Sequence, residues 1–94
     1  MHSPVSRGSA EPLPSAQLIR KILIVELAAV LIVEESQIDT SKPFDEYGLD
    51  STDAIMMVGM IEDQAEMELE PELLIRNRTI EDVISYLKQT GRIE

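Results

Sequence analysis

GLDSTDAIMMVGMIEDQAEM, residues 48–67, is the stretch on which the fold turns. Met57, Val58, Ile61 and Ala65 recur at the spacing of one helical face. The pattern predicts a helix starting at Asp50 or Ser51 and running to about Met67. Asp50 is a good N-cap, and Asp53 three residues on favours the positive end of the helix. One helix cannot bury Met56 and Met60 together with the Met57–Ile61 stripe, so some methionine surface is expected near solvent. Ser51 reads two ways. Periodicity makes it a helix-start residue. An exposed hydroxyl there would also suit a phosphate-linked arm, whose negative charge would sit at the positive end of the helix dipole.

Downstream, Pro71 opens a short segment holding Leu73, Leu74 and Ile75. Thr79-Ile80-Glu81-Asp82 resembles a capping box, Ile80, Val83, Ile84 and Leu87 follow at helical spacing, and Gly91 is a stop. Upstream, residues 34–50 form a long connection with a turn-rich run, Asp39-Thr40-Ser41-Lys42-Pro43. Phe44 and Leu49 are its expected anchors to the core, and a structured loop this long is often functional. Before it, Ser15 can cap a helix whose stripe reads Leu18, Ile22, Val25 and Ala29. Frequent β-branched residues make a buried strand the competing reading, but length and period favour a helix. After Leu27 this helix is apolar nearly all round. The sum is an all-α, four-helix domain over residues 15–94, with a long loop between helices one and two and a short helix three. Residues 1–14, rich in Ser, Pro and Gly, read as a disordered leader or linker.

The 94 residues make one small core. Eighteen acidic residues against eight basic ones give a net charge of −10. That argues against nucleic acid and for partners with basic surfaces, bound in a salt-sensitive way. There is no Cys, which fits a reduced, cytoplasmic setting, and no disulfide or thiolate metal site. The most apolar run, Ile22–Val33, is too short to cross a bilayer and carries Glu26, so no membrane insertion is expected. Asp45, Glu46, Asp50 and Asp53 cluster in sequence, but not at the spacing of a calcium loop, so no metal is expected. No catalytic residue is expected either. The single His, His2, lies in the leader, GLDST is not a nucleophile elbow, and no Lys is spaced to activate Ser51.

Pro43-Phe44-Asp45-Glu46-Tyr47-Gly48-Leu49-Asp50-Ser51 resembles the modification motif of acyl carrier proteins, which in polyketide and related synthases reads P-F-x-x-x-G-L-D-S. The similarity extends over about residues 15–90. It includes Ile38-Asp39 and Lys42-Pro43-Phe44 in the first loop, Ile61-Glu62 in helix two, and Thr79-Ile80 with Val83 and Leu87 in the last helix. The resemblance implies a four-helix bundle whose Ser51 receives 4′-phosphopantetheine from coenzyme A, through a separate phosphopantetheinyl transferase and magnesium. Asp50 is its neighbour in the motif. The arm's thiol would hold acyl groups as thioesters, which accounts for a chain with neither Cys nor a catalytic base. The implied partners are that transferase, an acyl-loading ligase or acyltransferase, and synthase or condensing enzymes. These would meet a monomer at Ile55, Met56, Gly59 and Met60, with Thr52 at the edge.

The chain departs from the usual family pattern at Thr52, Met56, Gly59 and Arg76-Asn77-Arg78, which bears on recognition by ordinary fatty-acid synthase enzymes. Gly59-x-x-Glu62 with Leu69-x-Pro71-x-Leu73 is similar to carriers loaded by fatty acyl-adenylate ligases. The implied role is thus an acyl carrier in polyketide- or lipopeptide-type specialised biosynthesis. Alternatives are an aminoacyl or peptidyl carrier, which shares fold and motif, and a non-carrier acidic helical adaptor.

Overall fold

The computed structural model describes residues 12–94. The expected leader, residues 1–14, thus lies mostly outside the described residues. Its last part is tied down: the Pro14 carbonyl accepts from the Glu94 amide at 2.9 Å, and the Ala16 amide donates back to the Glu94 carbonyl at 3.2 Å. The chain's end and the start of the first helix therefore meet.

Among the described residues four α-helices follow in order: α1, Ala16–Leu31; α2, Ser51–Ala65; α3, Leu73–Arg76; and α4, Ile80–Gln89. The expected architecture holds, with one short helix and one long loop. Among the described residues there is no strand, so the competing strand reading of α1 fails. Helix α1 packs on α2 and α4, and α3 packs on α2.

Helix α1 corrects the expected stripe. Ser15 caps it, its hydroxyl accepting from the Leu18 amide at 3.0 Å. The buried face, however, is Ile19, Leu23, Leu27 and Ala28. Leu18 is 51% exposed, Ala29 is exposed, and Ile22 and Val25 are only half-buried. The two stripes differ by one residue, about 100° of rotation. With apolar residues on nearly every face, period alone does not choose between them. The face that wins, Ile19, Leu23 and Leu27, buries three large aliphatic side chains in the common core, and it leaves Arg20 at the edge, 3.0 Å from Glu81 on α4.

The remaining stripes stand as expected. Ala54, Met57, Val58, Ile61 and Ala65 of α2 are buried, as are Leu73 and Leu74 of α3 and Ile80, Val83, Ile84 and Leu87 of α4. Ile75 turns out to solvent. Phe44 and Leu49 anchor the long loop in the core. Ile93, beyond the expected stop at Gly91, is buried too. Every buried residue among those described is hydrophobic, so burial of apolar surface is the main driving force.

Helix ends follow local chemistry. Helix α2 stops at Ala65, two residues before the expected Met67, with Glu66 in the left-handed region. The next chain segment is held by Glu62, whose carboxylate accepts from the Leu69 amide at 2.8 Å. Thr79 caps α4 by accepting from the Asp82 amide at 3.0 Å, the forward half of the expected capping box. Gly91, at φ +76°, closes α4. There the Arg92 amide donates to the Leu87 carbonyl and the Gly91 amide to the Lys88 carbonyl, the two bonds of a Schellman motif.

The long loop is ordered by its own contacts. The Tyr47 hydroxyl accepts from the Asp39 amide at 2.7 Å and donates to the Asp39 carbonyl, and Lys42 lies over the Tyr47 ring. The Phe44 amide donates to the Arg78 carbonyl at 2.8 Å, and the Glu81 amide to the Thr40 carbonyl at 3.1 Å. These bonds fasten the loop to the α3–α4 junction and so fix the entry to α2.

Candidate functional site

Gly48 and Asp50 place Ser51. The 3-10 turn Phe44–Tyr47 ends on Gly48 at φ +87°, a conformation that favours glycine. Leu49 then dips into the core. Asp50, extended, caps α2: its carboxylate accepts from the Asp53 amide at 2.9 Å, while the Asp53 carboxylate reaches back to the Asp50 amide at 3.4 Å. Ser51 is therefore the first helical residue, and the cap is Asp50 rather than Ser51. Its hydroxyl is exposed.

Beside Ser51 opens a cleft of about 170 Å³. Leu49, Ala54, Leu74 and Ile75 form its apolar wall, and Asp45 and Arg78 its charged rim. Arg78 reaches both Asp45 oxygens through one guanidinium nitrogen at 3.3 Å, with both side chains about two-thirds exposed. A second, larger groove of about 870 Å³ lies at the other end of α2, lined by Leu18, Ala65, Met67 and Arg92. Helix α2 is 15 residues long, so that groove is about 20 Å from Ser51 at 1.5 Å per residue. It is remote from chemistry at the hydroxyl.

Among the described residues, nothing is arranged to activate Ser51. There is no histidine, and the neighbouring Asp50 and Asp53 carboxylates are engaged in capping. No group of three metal-ligating side chains comes together among the described residues. Of the acidic cluster seen in the sequence, Asp50 and Asp53 cap α2 and Asp45 pairs with Arg78. The hydroxyl can thus receive a group from another enzyme but has no local base to attack on its own. The site fits an attached phosphodiester. The Ser51 and Thr52 amides, at the first two positions of α2, have no intrahelical partner. One cation, Arg78, stands on the rim.

The residues expected to dock partners lie along one exposed strip of α2 next to Ser51. Thr52, Ile55, Met56 and Gly59 are exposed, and Met60 is half-buried. Ile55 is 48% and Met56 50% exposed. A Cβ added at Gly59 would meet nothing within 4 Å. Ile75 of α3, 44% exposed, extends the apolar surface across the cleft. Ile75 did not stand out as a site residue in the sequence, and Arg78 stood out only as one of two cations departing from the family pattern. Only the tertiary contact of α3 with α2 brings them to Ser51.

The bundle thus presents an exposed serine, Ser51, at the first position of its second helix. The family model for the phosphopantetheine attachment site matches residues 21–87, and the chain belongs to that family. Its cofactor is 4′-phosphopantetheine, covalently attached. The fold is similar to a free-standing peptidyl carrier protein from an uncharacterised secondary metabolic pathway of Acinetobacter baumannii. That similarity has a TM-score of 0.71 and 34% identity, and covers 82% of this chain and 96% of the other. BlmI of Streptomyces verticillus, a type-II acyl carrier protein involved in bleomycin biosynthesis, shares the fold at TM-score 0.69 and 18% identity, over 81% of this chain and 89% of its own. The HMG-ACPI domain of the CurA module from Lyngbya majuscula does so at TM-score 0.70 and 23% identity, over 96% of this chain and 86% of its own. No curated protein matches the chain at a significant level. Among the described residues, no helix is long and apolar enough to cross a membrane.

Proposed function

We propose that Ser51 is the attachment point of 4′-phosphopantetheine and that the protein carries acyl groups for a specialised, polyketide- or lipopeptide-type pathway. One observation carries this reading. Within a chain of the attachment-site family, Ser51 is an exposed hydroxyl at the first position of α2, beside an open cleft. In the loading step the Ser51 Oγ bonds to the phosphorus that bears pantetheine, the pyrophosphate link of coenzyme A breaks, and adenosine 3′,5′-bisphosphate leaves. The serine proton passes to a base of the transferase. The arm supplies a thiol on which cargo is held as a thioester. The chain's own contribution is presentation: Asp50 and Gly48 hold the hydroxyl outward, and the bundle keeps its place while partners come and go.

Partners would dock on the strip Thr52, Ile55, Met56, Gly59 and Met60. This strip carries no charge, so its contribution to docking is apolar. The acidic excess acts around it as electrostatic steering toward basic partners. A phosphopantetheinyl transferase, a loading ligase of the fatty acyl-adenylate class, and condensing enzymes are the partners this reading requires. The bundle performs no catalysis itself. An aminoacyl or peptidyl cargo is the second reading, favoured by the 34% identity to the free-standing peptidyl carrier.

The test is intact mass after incubation with coenzyme A, magnesium and a broad-specificity transferase, with Ser51→Ala alongside. The wild type gains one phosphopantetheine and the variant none. A folded wild type that gains nothing from several transferases would leave Ser51 a helix-start residue and favour an acidic helical adaptor. Offering the loaded protein fatty acyl-adenylate and aminoacyl-adenylate ligases then separates the two cargo classes.

A further inference from the structure

We infer that Arg78 is a positioning residue for the phosphodiester on Ser51, exchanging its contact with Asp45 for the attached phosphate. This rests on Ser51 being the attachment point. The argument starts from charge. A phosphodiester adds one negative charge next to the Asp50 carboxylate, on the rim of a cleft that also holds Asp45. Among the described residues, the only cation lining that cleft is Arg78.

Its backbone is fixed there from two sides. The Arg78 carbonyl accepts from the Phe44 amide at 2.8 Å, which sets Arg78 against the turn leading into α2. Thr79, next in the chain, is committed to capping α4. The guanidinium, by contrast, is weakly held. A single nitrogen contacts both Asp45 oxygens at 3.3 Å, longer than a good charge-assisted bond of about 2.8 Å. Both side chains are mostly in solvent, 64% and 66% exposed, and exposed pairs of this kind contribute little. A planar fork that spends one nitrogen on a loose contact keeps its remaining donors for a second anion, and a phosphodiester offers two unbridged oxygens in matching geometry.

The consequence is orientation. With its phosphate held by Arg78, the arm leaves Ser51 over the apolar wall of Leu74 and Ile75 rather than straight into solvent. Asp45 then competes with the arm for the same guanidinium.

The competition gives the test its direction. Wild type, Arg78→Gln, Arg78→Lys and Asp45→Asn are loaded with ¹⁵N-labelled phosphopantetheine, loading is confirmed by intact mass, and NMR follows two signals. These are the Arg78 Nε–Hε resonance, and the heteronuclear NOE of the arm's amide nearest the phosphate. On loading, the Arg78 resonance shifts. The arm amide is ordered in the wild type, more ordered in Asp45→Asn, less so in Arg78→Lys, and as mobile as free pantetheine in Arg78→Gln. Salt at about 1 M, where the Debye length is about 3 Å, brings the wild type close to Arg78→Gln. A purely structural Arg78–Asp45 pair predicts something different: both Arg78→Gln and Asp45→Asn lower the melting temperature, and neither changes the arm. An unmoved Arg78 resonance, or equal arm mobility in Arg78→Gln and Asp45→Asn, overturns this inference while leaving Ser51 as the attachment point. Absence of any mass gain in the wild type overturns both.

Discussion

Ser51 and Gly59 mark the two ends of what a single residue decides here. Ser51 is exposed and is not the cap, because Asp50 supplies that bond. Ser51→Ala is therefore expected to abolish loading at a stability change below about 0.5 kcal/mol, the usual range for a surface substitution. Asp50→Ala, which removes the cap, costs about 0.5–2 kcal/mol. Urea unfolding of both variants checks the contrast, and equal losses would contradict the assignment of the cap. Gly59 is costly in the interior of α2, by about 1 kcal/mol relative to Ala. Nothing among the described residues requires it, since an added Cβ meets no atom of theirs within 4 Å. Gly59→Ala should stabilise the protein by about 0.5–1 kcal/mol. If the strip is the docking surface, the same methyl raises the transferase's KM for the carrier. A stabilised variant with an unchanged KM would remove Gly59 from that surface.

At the scale of elements, α1 and the long loop show where strain and order are stored. Helix α1 ends on Ile32 at φ 58°, ψ 52°, and this residue is 89% exposed. The turn is the same kind that Gly91 makes after α4: the Val33 amide reaches the Ala28 carbonyl at 3.0 Å, and the Ile32 amide the Ala29 carbonyl at 3.3 Å. A β-branched residue is strained there by about 1–2 kcal/mol. Ile32→Gly relieves that strain but loosens the unfolded chain by about 0.4–1 kcal/mol. The net expected gain is about 0.5 kcal/mol, read as a higher urea midpoint with an unchanged slope. A lower midpoint would mean that the exposed isoleucine makes a contact worth more than its strain. The loop after it carries one core aromatic, Phe44, and one polar clasp, Tyr47 on Asp39. Phe44 was legible as an anchor from its isolation among polar residues. The Tyr47 clasp was not, because its partner is backbone, which no sequence pattern marks.

Over the whole molecule the acidic excess is managed by a few ion pairs rather than by burial. Glu70 is the clearest case. The Arg92 guanidinium, together with the Tyr86 hydroxyl, holds its carboxyl well below the ordinary 4.5, at about 2, and the same bond pushes the Tyr86 hydroxyl up. Arg20 likewise lowers Glu81. A carboxyl lowered in the folded state binds its proton more weakly there than in the unfolded chain. Its stabilisation is therefore fully present above the unfolded value and is lost as pH falls from about 4.5 toward 2. Glu70→Gln should be less stable than the wild type above about pH 5, and the gap should close as the pH approaches 2. Urea melts across that range read it directly, and a gap independent of pH would show that Glu70 acts through packing. The two pairs tie opposite ends of α4 to the rest of the bundle, Glu81 to α1 and Arg92, just beyond the Gly91 stop, to Glu70. Arg92 lies two residues before Glu94, whose backbone bonds with Pro14 and Ala16 close the bundle, while Glu81 stands on the first turn of α4.

The residues by themselves determined the class of fold and the place of the serine. The stripe of α2, the Asp50 cap, the Thr79 start and the Gly91 stop are local chemistry, and each is carried by a few adjacent residues whose preferences agree. The motif from Pro43 to Ser51 is equally local. Tertiary structure alone decided the rest. It rotated α1 so that Ile19, Leu23 and Leu27 face inward, because an apolar helix leaves its orientation to whatever packs against it. It buried Ile93, which follows a helix stop and has no period to betray it. It also set Arg78 and Ile75 beside Ser51, although more than twenty positions separate them along the chain, because α3 packs on α2 as it buries Leu73 and Leu74 in the core.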